Sequence, residues 1–196
     1  MYAMIELTEA DVDIASRPSG GAVLGGCHRE PVTEVGILAY QAAWDAGFRA
    51  EAESLERAFA SLVPHIEHVG TTAIPGSAAR PIIDIAVGIT KPTAERSLQE
   101  TLRGDGYRAR AESDFGTRLY VRWQRGLPTH HVHVVEYLGK QWQQMLRFRD
   151  VLRIDTRLAR EYEWLRWRFA GLHPANRIAC ARAKATFITS IVNQAR

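Results

Sequence analysis

Between Tyr40 and Pro64 the apolar residues Trp44, Phe48, Leu55, Phe59 and Leu62 recur at intervals of three, four and seven. That is the period of one buried helical face, and it predicts a helix that stops before the proline. His65-Ile66-Glu67-His68-Val69 then alternates polar and apolar up to Gly70 and reads as a half-buried strand. The segment from Thr71 to Arg80 holds Pro75 and Gly76 among small residues, so it is expected to be loop with at most one short turn. Pro81 to Val87 is nearly all β-branched or small apolar, the mark of a buried strand, with Asp84 as its one charge. A helix follows with Thr93 at its start, Leu98 and Leu102 on its buried face, and Gly104 and Gly106 past its end. Tyr107–Ala111, Arg118–Trp123 and His130–Val135 supply three more strands, separated by Gly116 and by Gly126 with Pro128. From Lys140 onward the period is helical again. One segment carries Trp142, Met145, Leu146, Phe148 and Leu152. The next has Leu158, Tyr162, Leu165 and Phe169, and the last Phe187, Ile188, Ile191 and Val192, with Gly171 and Pro174 between the second and third.

This order predicts an α/β (α+β) fold: a mixed sheet with flanking helices and a C-terminal helical segment. Residues 1–33, with Arg17-Pro18-Ser19-Gly20-Gly21 and Gly25-Gly26, show little periodicity and are expected to be a poorly packed extension or flexible arm. Residues 34–196 are expected to form one domain, with an α/β core over 34–138 and a helical part over 139–196, because 196 residues leave little room for a second core. With 46% hydrophobic and 24% charged residues, the chain has enough apolar surface to offset its conformational entropy. No apolar run approaches the roughly 20 residues a membrane span needs, and the first residues do not follow a signal-peptide plan, so the cytoplasm is the expected address and no membrane partner is indicated. Cys27 and Cys180 have no metal or disulfide spacing. A net charge of +3 is mild and does not by itself argue for a nucleic-acid partner, so none is expected, although arginines gather from Arg147 onward. Most of those are solvated cations of helix faces.

The chemistry concentrates in the strand–Gly70-Thr71-Thr72–loop–strand–Asp84 unit. A glycine at a strand end lets backbone N–H groups come close to a phosphate, and hydroxyls beside it add donors without bulk. An aspartate on the following strand can hold a hard cation bridging phosphate oxygens. Taken alone, Gly70-Thr71-Thr72 is more often a plain turn. Asp84 is the stronger signal, because a carboxylate between Ile83 and Ile85 costs several kcal/mol to bury unpaired. His131 and His133 share one strand face by the period of two, with Val132 and Val134 turned to the core. With Asp84 they would make a site of two histidines and one carboxylate, which prefers zinc, iron, manganese or nickel to magnesium. Alternatively one histidine is a general base, or both are strand residues bonded to their neighbours. His68, with the parity of Gly70, is a further candidate. Arg118, Arg149 and Lys184 are the cations expected at substrate phosphates, Arg118 sharing a strand face with Arg122. Trp142, Trp164 and Trp167 sit at helical spacing and read as packing residues.

The run His68-Val-Gly70-Thr71-Thr72-Ala-Ile-Pro75-Gly76-Ser-Ala-Ala-Arg80-Pro81-Ile-Ile-Asp84-Ile resembles the signature of the GrpB family, which is similar to the wider nucleotidyltransferase superfamily. Looser resemblance runs through Tyr40, Trp44 and Phe48, Thr129-His130-His131-Val-His133, Phe148-Arg149-Asp150-Val-Leu-Arg153, Tyr162, Lys184 and Phe187, over about residues 34 to 195. The resemblance implies a nucleotidyltransferase-like fold and an enzyme that binds a nucleoside triphosphate with a divalent metal, magnesium or manganese or else zinc. It would transfer a nucleotidyl group to a small-molecule acceptor. In that reading Gly70, Thr71 and Thr72 hold phosphates, and Asp84, His131 and His133 are catalytic and hold the metal. Two departures stand out. The second carboxylate that the superfamily carries two residues after the first is Ala86 here, and the third falls where His131 and His133 stand. The other reading is a non-catalytic module for a nucleotide or a CoA-type ligand, since the GrpB domain also resembles an appendage of dephospho-coenzyme A kinases. The acceptor, the base and the oligomeric state are not legible.

Overall fold

The computed structural model describes residues 36–62, 64–90, 95–110, 117–170 and 177–194. The expected arm over residues 1–33, Thr93 as a helix start, and Gly116, Gly171 and Pro174 as separators lie outside these residues. Five strands, β1 (His65–Val69), β2 (Ile83–Ile89), β3 (Tyr107–Arg110), β4 (Arg118–Gln124) and β5 (Leu127–Glu136), form one sheet in the order β1-β2-β5-β4-β3. β2 runs parallel to β5 and every other pair is antiparallel, so the sheet is mixed as the element order predicts.

Helices α1 (Ala43–Ala58) and α2 (Glu95–Gly104) cover one face of this sheet. Leu55 of α1, Phe59 just past its end, and Leu98 and Leu102 of α2 pack on Ile83, Ile85, Val87, Val132 and Val134. Helix α3 (Lys140–Ile154) covers part of the other face, where Trp142 and Met145 meet Val69, Ala86 and Val135. Gly88 allows this approach, since a Cβ there would stand 2.8 Å from the Trp142 ring. Helices α4 (Thr156–Ala170) and α5 (Arg177–Gln194) pack against α3, with Tyr162, Ile188 and Ile191 around Phe148, Leu152 and Ile74. Ile74 belongs to the loop after β1, so the C-terminal helices grip the segment that leads into β2. No described helix is long and apolar enough to cross a membrane.

Two boundaries differ from the pattern for physical reasons. β2 begins at Ile83 rather than Pro81, since proline has no N–H to give a ladder. β5 begins at Leu127, and Pro128 lies inside it at the register shift next to Trp123. Arg125 and Gly126, at φ 51° and 78°, make the two-residue hairpin that joins β4 to β5.

Candidate functional site

The parallel register sets Asp84 beside His131 and Ala86 beside His133, so all four side chains stand on the face that α3 only partly covers. Val69, at the end of β1, pairs with Asp84, which places the Gly70 turn at the carboxylate. Asp84 Oδ1 lies 3.0 Å from His131 Nδ1 and 3.4 Å from His133 Nε2. Its side chain stays 24% exposed, which leaves a route in from solvent. Burial pushes the Asp84 carboxyl up, but hydrogen bonds from His131 and His133 outweigh it and hold the group well below the usual carboxylate range. The carboxylate is therefore an anion at working pH.

The other nitrogens of the two rings differ. His133 Nδ1 is 2.9 Å from the Thr117 hydroxyl, a group that can rotate to donate or accept and so serves either tautomer. His131 Nε2 is buried and has no partner among the described residues. One ligand atom from each of Asp84, His131 and His133 falls within 4.8 Å of the others. Around a tetrahedral zinc, donors at about 2.0–2.1 Å stand about 3.3 Å apart. The separations of 3.0 and 3.4 Å match that edge. Two imidazoles, one carboxylate, an oriented second nitrogen on His133 and an orphaned one on His131 together fit a divalent transition metal.

Gly70 adopts φ 69° and ψ −170°, a region open almost only to glycine. A Cβ at this position would stand 2.3 Å from Asp84 Oδ2. The missing side chain is thus needed to admit the carboxylate, a different reason from the phosphate approach that the sequence suggests. Thr71–Ala73 forms the short 3-10 turn that follows. Thr72 is 2% exposed and spends its hydroxyl inside the turn, donating to the Ile82 carbonyl at 3.3 Å and accepting from His68 Nε2 at 3.1 Å. Thr71 is only half-buried, and its hydroxyl accepts from Arg166 of α4 at 2.8 Å.

Several other sequence candidates stand elsewhere. Arg118 pairs with Val134 and so lies on the face of α1 and α2, opposite to Asp84. It shares that face with Arg122, which is bound to buried Glu51 and lies over Tyr107. His68, paired with Ile85, is also on the α1 face, where it stacks on Phe48 at 4.6 Å between centroids. A strand residue two before a glycine keeps its parity only while the strand lasts, and β1 ends at Val69. Arg149 is buried and committed: it donates to Glu67 at 2.6 Å, Asp150 at 2.7 Å and the His68 carbonyl at 2.9 Å. It ties α3 to β1. Lys184 is half-buried on α5, which packs on α3 and α4. Trp142 is a core residue, whereas Trp164 is 41% exposed beneath Arg168.

The family described as "GrpB protein" matches residues 34–194. The chain belongs to the GrpB family. It is 32% identical to the glutamate-rich protein GrpB of Alkalihalophilus pseudofirmus, over 82% of this chain and 95% of that one. It is 33% identical to the UPF0157 protein YqkA of Bacillus subtilis over 79% of its own length, and there the match spans only 45% of the relative. The solved GrpB of Enterococcus faecalis superposes with a TM-score of 0.69 at 30% identity, covering 81% of this chain and 95% of that one. A solved Cid1 poly(U) polymerase overlaps 63% of this chain at a TM-score of 0.43 and 12% identity, too slight a likeness to say anything of activity.

Within this GrpB chain, position 86 explains itself. Ala86 is fully buried under Trp142 and Met145, so a carboxylate there would be desolvated and would displace α3. Arg166 is the residue that sequence reading passes over. It is one of several arginines in Thr156–Ala170 and no spacing marks it, yet it reaches both the Thr71 hydroxyl and the Ala78 carbonyl.

Two histidines outside the cluster give a pH dependence. Burial, against the attraction of Asp84, lowers His68 to about 4, and burial with the neighbouring Arg122 lowers His130 to about 4. Unfolded, both titrate near 6.5. Between those values the unfolded chain binds more protons than the folded one, so stability rises with pH there. The contribution is complete above pH 6.5 and is lost as the pH falls toward 4. Urea unfolding from pH 7 to pH 4.5 is expected to show a loss of about 3–5 kcal/mol, roughly halved in His68→Gln. A flat profile, or an unchanged slope in the variant, would contradict the assignment.

Proposed function

We propose that this GrpB chain is a metal-dependent, nucleotidyltransferase-like enzyme that binds a nucleoside triphosphate and passes its nucleotidyl group to a small-molecule acceptor. The observation that carries this reading is the trio Asp84, His131 and His133, whose ligand atoms lie within 4.8 Å of one another directly beside the Gly70–Thr71 turn. These three side chains would hold the cation. When bound, it would neutralise phosphate oxygens and polarise the reacting phosphoryl group. Gly70 and Thr71 would receive the β- and γ-phosphates. Thr117 fixes the orientation of His133, and His131 Nε2, which would carry the ring proton with Nδ1 on the cation, would be a donor for a substrate oxygen once one reaches it. In the transfer, the acceptor oxygen or nitrogen bonds to the α-phosphorus, the bond to the bridging oxygen breaks, and pyrophosphate leaves.

The expected result is release of pyrophosphate that requires zinc, manganese or magnesium, found by screening the four nucleoside triphosphates with candidate acceptors. Absence of both turnover and calorimetric binding for all four, with each metal, would end this reading. One observation supports the second reading, a ligand-binding module without catalysis. Buried Ala86 removes the second carboxylate on which a paired-metal mechanism depends. Tight binding of a nucleotide or CoA-type ligand in chelator, without turnover, would favour the module.

A further inference from the structure

Arg166 is a half-buried cation with no carboxylate partner among the described residues. One terminal nitrogen donates to Thr71 Oγ1 at 2.8 Å and the other to the Ala78 carbonyl, while Nε is sealed from solvent and has no hydrogen-bond partner among the described residues. Its guanidinium lies 5.4 Å from the Tyr162 ring centroid. Glu163, the carboxylate nearest in sequence, instead meets the Ala78 N–H at 3.5 Å, and Asp84 acts on Arg166 only through space.

Leaving a guanidinium buried without a counter-ion costs several kcal/mol. Glu163 and Asp84 relieve part of this cost, but only through space. Arg80 repels Arg166 from within the same loop, and Arg153 of α3 donates to the Ala73 carbonyl at 2.8 Å. Arg80 in this loop, Arg153 from α3 and Arg166 from α4 thus gather at one place, and of the three only Arg153 has a carboxylate partner among the described residues, Asp150 at 3.9 Å. Thr71 shows where a balancing anion belongs. Its hydroxyl oxygen accepts from Arg166, which leaves its single proton free to donate to the same anion.

We infer that Arg166 is the anion-binding cation of the site, taking the terminal oxygens of a polyphosphate laid along Gly70–Thr71, so that helix α4 is part of the binding surface. This rests on the reading of Gly70–Thr71 as the phosphate turn and adds the residue that neutralises the charge. It also gives the C-terminal helices a role in ligand capture: an anion that joins Thr71 to Arg166 joins the sheet to α4.

The test uses inorganic tripolyphosphate with the whole chain in chelator, so that no metal contributes, and reads affinity by calorimetry. Wild type is expected to bind, Arg166→Gln to bind at least about tenfold more weakly, and Arg166→Lys to fall between, keeping the charge but losing the fork. Arg160→Gln, exposed on the same helix, should match wild type. Equal affinity in wild type and Arg166→Gln, or no binding by wild type, overturns the inference. Because Arg166→Gln also removes two ties to the 71–78 loop, wild-type crystals soaked in tungstate give an independent answer. Tungsten within hydrogen-bonding reach of Arg166 and Thr71 supports the assignment, and tungsten bound only elsewhere overturns it. The two proposals fail separately. Metal-dependent pyrophosphate release with unchanged tripolyphosphate affinity in Arg166→Gln sinks this inference alone. Arg166-dependent tripolyphosphate binding without any turnover sinks only the transferase reading.

Discussion

Gly70→Ala is expected to lower the unfolding free energy by about 3–5 kcal/mol and to abolish ligand binding, as measured by urea unfolding and calorimetry. Two independent costs add. The backbone at φ 69° and ψ −170° is nearly closed to any residue with a side chain, at about 1–3 kcal/mol. The new Cβ would also lie 2.3 Å from Asp84 Oδ2 and 2.8 Å from its Cβ and Cγ. Neither side can yield cheaply, since the carboxylate is held by His131 and His133 and the turn by Arg166. A double-mutant cycle separates the terms. In Asp84→Ala/Gly70→Ala the clash with the carboxyl group is gone and the strain remains, so the second substitution should cost visibly less there than in wild type. Additive losses would mean that the glycine serves only the backbone.

The same pair of residues shows how far the sequence can be read. That Gly70 and Asp84 belong together follows from strand–turn–strand spacing, and so does the shared face of His131 and His133. A period of two is a local property, and the parallel pairing of β2 with β5 transfers it across the sheet without change. The sheet and its flanking helices are legible for the same reason, since Ile83, Ile85, Val87, Leu98 and Leu102 are buried where the apolar pattern puts them. What the glycine is for was not legible. The close contact is with a side chain 14 positions later, and only the pairing of Val69 with Asp84 creates it.

The cations were the least legible part of the site. Arg118 obeys the alternation of β4, but the sequence does not say which of the two faces of that strand looks toward Asp84. Arg149 looks like a phosphate ligand by type, yet its position on α3 brings it to Glu67 and Asp150, which consume it. Arg166 had no signal at all. An arginine on a helix becomes distinctive only when the packing of α4 carries it to the loop before β2, and that packing is decided by Phe148, Tyr162 and Ile188. Ala86 is the converse case. Read as a lost carboxylate it suggests a weakened site, whereas under Trp142 it is the residue that lets α3 lie on the sheet.

Asp84→Asn is expected to reduce zinc affinity about 100-fold or more while the fold persists. Asparagine keeps the size and one acceptor oxygen, so the turn and Gly70 are not disturbed. What disappears is the anion between two imidazoles and with it the only charged donor of the trio. Losing a hydrogen bond to a metal ligand typically costs 10–100-fold in affinity, and losing the charged ligand itself should cost at least that. Thermal unfolding gives a readout that needs no substrate. A metal present at 100 times its dissociation constant adds about 2.7 kcal/mol to stability, so zinc should raise the wild-type melting temperature and leave Asp84→Asn nearly unmoved. Thr117→Val should fall between them, because His133 keeps its position on β5 but loses the hydroxyl at its Nδ1. That intermediate case distinguishes a built site from two histidines and an acid that happen to touch. Chance neighbours would bind zinc without regard to a hydroxyl that cannot reach the ion, whereas a ligand oriented from behind weakens in proportion to the orientation it loses. If zinc stabilises wild type and Asp84→Asn equally, or stabilises neither, these residues do not form a metal site and the transferase reading loses its central support.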